Sequence, residues 1–171
     1  MPADENKAIS RRYIEEVGNQ GKLELADEFF DRYISHQADG STLERGPEDV
    51  KRFTAEFRLA FPDFHLSIDE QIAEGDKVVN RVTLRGTQKG EFRDMAPTSK
   101  EVEVKAVTIF RFSPEGKVVE TWDYFDQLRL MRQSIVQELG VARSIQQAPC
   151  PRRCPNWRAG RSLHSTNQLG R

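Results

Sequence analysis

A chain of 171 residues, 37% hydrophobic and 31% charged, is sized for one soluble domain with a buried core. No stretch approaches the roughly 18 consecutive apolar residues of a spanning helix, and MPADENKAISRR lacks the apolar centre of a signal peptide, so the cytoplasm is the expected location and no membrane partner is expected. The formal charge of −1 divides unevenly: six arginines and no acids follow Gly140, which leaves 20 basic against 27 acidic residues before it and argues against nucleic acid as a partner.

The first helical pattern runs from about Asp4 to Val17, with Ile9, Tyr13, Ile14 and Val17 on one face and Gly18 as its stop. A short NQGK turn leads to a second helix, LELADEFF, ending near Phe30. Tyr33 and Ile34 bring the chain to His36 and a polar loop, QADGSTLERG. Gly46-Pro47 opens a third helix, because proline suits the first helical position and Glu48 and Asp49 suit the helix dipole. Val50, Phe53, Phe57 and Ala60 recur at helical spacing until Phe61-Pro62-Asp63, where the residue before proline leaves the α region.

From Phe64 the period changes to two. FHLSIDEQIAE, KVVNRVTLRGTQ, EVEVKAVTIFRF and KVVETWDYFD predict four long strands, with turns at Gly75-Asp76 and Ser113-Pro-Glu-Gly116. QLRLMRQSIVQELG closes the body as a helix. Helices segregated from an antiparallel meander predict an α+β fold: a cone-shaped curved antiparallel sheet, N-terminal helices over its concave face, and a closing C-terminal helix. The domain is expected to span residues 1–140. Residues 141–171 read as a basic, disordered tail, whose Cys150, Cys154 and His164 fall one ligand short of a zinc site. The body contains no cysteine and no HxxxH spacing, so no metal is expected there.

FPDFHLSIDEQIAEGDKVVNRVTLRGTQKGEF, MAPTSKEVEV, IFRFSPEGKVVETWDYFD and LRLMRQ together resemble the SnoaL-like polyketide cyclases, or ester cyclases, of the nuclear-transport-factor-two-like superfamily. The likeness runs from about Asn6 to Gly140 and rests on the order of FPD, GDKVV, Gly86-Thr87, PTxK and GKxxExW followed by Asp126. It implies a conical barrel, a homodimer paired through its outer sheet face, and a deep apolar pocket. It also implies an intramolecular aldol condensation of a small apolar carbonyl compound without metal or cofactor, using an aspartate near the end of the last strand, here Asp126. Gln88 stands where many relatives have histidine, and Ser99 where they have glycine after PT.

Strand alternation puts Glu120, Trp122, Tyr124 and Asp126 on one face and Thr121, Asp123 and Phe125 on the other. If Trp122 lines the pocket, Asp126 joins it and Asp123 faces outward. Asp126 also precedes a helix, where aspartate is a preferred N-cap, so capping and proton transfer both remain open for it. His36 is the second catalytic candidate, with a solvated loop histidine as the alternative. Trp122, Tyr124, Arg81 and Phe57 are the expected substrate contacts. For Arg81 the competing reading is an outward strand charge, and for Phe57 a core aromatic. The same fold could instead carry an isomerase, a dehydratase or an epoxide hydrolase, or a module that binds a small molecule without turning it over.

Overall fold

The computed structural model describes residues 2–37, 39–92, 96–126 and 130. The tail and nearly all of the expected closing helix lie outside the described residues; of that helix only Leu130 is placed, its N–H bonded to the Asp126 carbonyl at 3.2 Å.

Helix α1 (Ala3–Tyr13) continues as a π-helical turn over Ile14–Asn19, one residue past the expected stop at Gly18. The wider turn buries Ile14, Val17 and Gly18 together. It also delivers Asn19 to the sheet, where its side chain accepts from the Leu66 N–H at 2.8 Å and donates to the Leu66 carbonyl at 3.0 Å. The second helix is shorter than its pattern implied: a 3-10 turn, Leu23–Leu25, then α2 (Ala26–Phe29). Phe30 already belongs to strand β1 (Phe30–His36), and the expected polar loop contains strand β2 (Thr42–Arg45). Helix α3 (Pro47–Ala60) starts as its sequence predicts, with the Asp49 carboxylate accepting the Gly46 N–H at 3.0 Å.

Strands β3 (His65–Glu74), β4 (Lys77–Thr87), β5 (Glu101–Phe112) and β6 (Val118–Phe125) form the expected meander. The six strands make one curved, unclosed sheet in the order β2-β1-β6-β5-β4-β3. It is mixed rather than antiparallel throughout, because β1 runs parallel to β6, with Ser35 opposite Thr121 and His36 opposite Trp122. That pairing needs the long crossover that the intervening elements supply.

Two apolar clusters fill the concave side. One gathers Val17, Phe29, Phe30, Tyr33, Val78, Phe110 and Val118, with the Tyr13 ring edge-on to Phe30 at 5.0 Å. The other gathers Phe57, Phe61, Phe64, Val102, Val104 and Leu130, with Phe57 stacked on Phe61 at 4.8 Å. The separated motifs meet beside the second cluster. Asp63 of FPD accepts the N–H and hydroxyl of Thr87 at 2.7 and 2.6 Å. The Ala60 carbonyl takes the N–H groups of Lys89 and Gly90, and a Cβ at Gly90 would stand 2.5 Å from the Leu59 carbonyl oxygen. Only glycine fits there.

Candidate active site

A cavity of about 300 Å³ opens between α1, α3 and the concave face of the sheet. Helix α3 presents Val50, Phe53, Thr54 and Phe57 to it, the strands present Phe30, Leu66, Val82, Leu84, Val104 and Phe110, and Phe64 joins them from just before β3. Size and lining suit a small, largely apolar molecule. Its charged side chains are Asp123, Arg45 and Asp49; its hydroxyls are Tyr13, Tyr33, Ser35, Thr54, Thr108, Thr121 and Tyr124.

The face of β6 that meets this cavity is the reverse of the one expected. Thr121, Asp123 and Phe125 line it, and Glu120 and Trp122 do not. The cause is a β-bulge. Phe112 pairs with Val118 while the adjacent Arg111 pairs with Glu120, so β6 carries one extra residue at the turn. Val118 faces the core, and beyond the bulge the parity has flipped. The alternation within TWDYFD is as read; its phase against the core is not.

Asp123 sits opposite Thr108 across β5, and both line the cavity. Desolvation by this apolar setting pushes the Asp123 carboxyl up to about 6, against smaller lowering effects from Thr121 and Arg45. Thr121, 3% exposed, keeps its Oγ1 without a hydrogen-bond partner among the described residues. It stands near enough to lower the Asp123 carboxyl but outside hydrogen-bonding geometry. Tyr33, which faces Arg45 across β1 and β2, has its phenol raised to about 12 by burial, with Arg45 opposing and Asp123 and Asp49 adding to the rise. Burial, then Asp123, also raises the Tyr13 phenol. Both phenols are therefore protonated donors at neutral pH. Behind Thr108, Asn80 donates to its Oγ1 at 3.4 Å and accepts from Ser10 at 2.9 Å and Gln71 at 2.8 Å. This row ties the cavity floor to α1 and β3.

Asp126 is exposed and lies just past the end of β6, outside the cavity lining, and its carbonyl takes the Leu130 N–H. His36 lies on the outer face of the sheet, where its Nε2 meets Glu120 Oε1 at 2.6 Å and its ring stacks on Trp122 at 4.8 Å. Arg111 Nε donates to the other Glu120 oxygen at 2.6 Å, and Lys77 lies over the Trp122 ring at 5.5 Å. Burial alone would raise the Glu120 carboxyl, but His36 and Arg111 outweigh it and hold it below the usual range. Arg81 is also outward, bridging Asp69 at 3.0 Å and Glu70 at 3.2 Å. Tyr124 borders the cavity while 46% exposed, and Phe57 lines it. Gln88 is fully buried away from it, accepting from Thr98 at 3.0 Å and donating to the Ala96 carbonyl at 3.2 Å. Sequence reasoning missed Asp123, Thr121, Tyr33 and Arg45 as site residues. The signal for Asp123 was the phase of β5, whose outward positions Glu101, Glu103 and Lys105 alternate with apolar ones.

Among the described residues, no helix is long and apolar enough to cross a membrane.

A candidate SnoaL-like polyketide cyclase from Jannaschia sp. CCS1 shares the fold with a TM-score of 0.70 and 26% identity, over 78% of this chain and 94% of its own. AclR, a candidate hydroxylase from Streptomyces galilaeus, matches with a TM-score of 0.67 and 25% identity, over 85% and 95%. IdmH, a candidate polyketide cyclase from Streptomyces antibioticus, matches with a TM-score of 0.61 and 25% identity, over 78% and 98%. A search of curated proteins finds no sequence match. The model of the SnoaL-like polyketide cyclase family matches residues 8–134, nearly all of the folded body. The chain therefore belongs to the SnoaL-like polyketide cyclase family.

Proposed function

We propose that this protein is an acid/base enzyme acting on a small, largely apolar carbonyl compound, with Asp123 removing and returning the proton, and that intramolecular aldol closure of a polyketide-like ester is its reaction. The observation that carries the reading is the Asp123 carboxyl, facing a largely apolar cavity and raised to about 6 by desolvation, while the other lining carboxylate, Asp49, is engaged by the Gly46 N–H and Arg52. Such a group is ionised at neutral pH yet much more basic than an ordinary aspartate, which suits it to take a proton from carbon next to a carbonyl. Closure then joins that carbon to a second carbonyl of the same molecule, and the protonated Asp123 returns its proton to the new alkoxide. The family membership and the candidate cyclases among the structural neighbours favour this reaction over the isomerase, dehydratase and epoxide hydrolase readings. The test is Asp123→Asn against a panel of diketone and keto-ester substrates, with Asp126→Asn beside it; closure by wild type that Asp123→Asn abolishes supports the assignment.

The same reading takes the protein as a homodimer paired through the outer face. Its support is an apolar row crossing four strands there, where Ile72, Val79, Ile109 and Trp122 are successive cross-strand partners. Ile72 is 58% exposed at one end, and the other end meets His36. A cytoplasmic location stands as part of this proposal.

A further inference from the structure

We propose that Arg45 and the hydroxyl of Tyr33 form an oxyanion site in this cavity, binding the substrate's carbonyl oxygen and holding the charge it gains as Asp123 takes the neighbouring proton. The inference rests on the reading of Asp123 as the base and assigns the group that base catalysis leaves unsupplied. When the C–H bond breaks, its proton goes to an Asp123 oxygen and its electron pair forms the new C=C bond. The carbonyl π pair moves onto oxygen. A negative charge thus leaves Asp123 and reappears on the substrate, inside a cavity whose walls are mostly apolar. Unsupported there, it would be strongly disfavoured.

Arg45 is the one cationic side chain among the described residues that line the cavity. The other cations of this region have their own partners. Lys51 bonds Asp27 and Glu48, Arg52 bonds Asp49, and Arg58 donates to the Gly18 and Asn19 carbonyls. Asp49 takes the Gly46 N–H and Arg52, and no described carboxylate lies within ion-pairing distance of Arg45. The guanidinium therefore keeps donors available for a ligand.

Register brings the pieces together. Tyr33 faces Arg45 across β1 and β2, and Ser35, two residues along the same face of β1, faces Thr121 of β6, two residues before Asp123. The charge of Arg45 acts on both Tyr33 and Asp123. In the resting enzyme it balances the Asp123 carboxylate; after proton transfer the same cation balances the enolate. Stabilisation that follows the charge, with donors fixed in advance, lowers the barrier rather than only tightening binding.

Substituted 2-naphthols and nitrophenols of graded acidity mimic the enolate, and their ionisation when bound is read from their absorbance. Wild type is expected to hold these probes preferentially as phenolates. Asp123→Asn should tighten phenolate binding at least about tenfold by removing a like charge. In that background Arg45→Met should lose the preference for the ionised form by about 100-fold, while naphthalene, an uncharged probe of the same cavity, binds as before. Arg45→Lys should recover part of the loss and Tyr33→Phe should lose a smaller part. Phenolate preference that survives Arg45→Met overturns the proposal. Proton exchange that survives Asp123→Asn would instead overturn the base assignment and leave the phenolate result standing, so the two failures are separable.

Discussion

Asp123 and Trp122 are neighbours in the chain and stand on opposite faces of the sheet, the carboxyl in the cavity and the indole stacked on His36 outside. The pair shows how one strand serves two purposes. Its inner residues carry the candidate chemistry, and its outer residues carry an ion cluster with an apolar row.

The desolvated Asp123 carboxyl should weaken the fold at neutral pH. The Asp123 carboxyl titrates at 3.8 unfolded and about 6 folded, so the native state binds its proton more tightly. The associated stability is fully present below pH 4 and lost as pH rises through 6. Asp123→Asn removes that loss and should be more stable than wild type at pH 8, by up to about 3 kcal/mol. At pH 4 the difference should close. Urea melts at the two values check it.

Glu120 has the opposite sign. Its folded carboxyl lies below the ordinary 4.5, so its contribution is present above that pH and lost as pH falls through the folded value. Glu120→Gln leaves Arg111 and His36 without their acid and should cost about 1–2 kcal/mol at pH 7. The cost should shrink below pH 4. Denaturation of both proteins across this range measures it.

Ser99 occupies a glycine's conformation, with φ at 55°. Its N–H is held to the Gln88 carbonyl at 2.8 Å, so the loop cannot relax without losing that bond. Ser99→Gly should raise stability by about 0.5–1 kcal/mol, the left-handed strain removed less the extra chain entropy of glycine. Thermal melting at constant pH is sufficient.

The outer row predicts an assembly phenotype. Trp122→Glu places a charge at the centre of Ile109, Lys77 and His36 and should leave a monomer in sedimentation, with the cavity still binding apolar probes. A wild type that sediments as a monomer at high concentration would contradict the proposed pairing.

Much of the fold was legible because its signals are local. Gly46-Pro47 with Asp49 marked the start of α3, and period-two runs marked β3 to β6. Strand β2 was not legible, since its exposed Thr-Leu-Glu-Arg pairs on one side only and shows no alternation. The parallel join of β1 to β6 left no trace either, because pairing direction is a tertiary property. The site was half legible. TWDYFD announced an acid at a pleated surface, but periodicity fixes which residues share a face, never which face is inside. That phase was set by one bulge opposite Arg111 and Phe112, just after the SPEG turn; it exchanged Asp123 for Asp126 and put Trp122 on the outer face, where His36 of β1 is its partner.

The most direct test of the account is exchange of the α-hydrogens of a cavity-sized diketone with deuterated water, followed by NMR from pH 5 to 8. The rate should rise with the ionisation of a single group near pH 6, fall about 10³-fold in Asp123→Asn, and stay close to wild type in Asp126→Asn. Exchange that persists in Asp123→Asn, or that disappears in Asp126→Asn instead, would contradict the assignment.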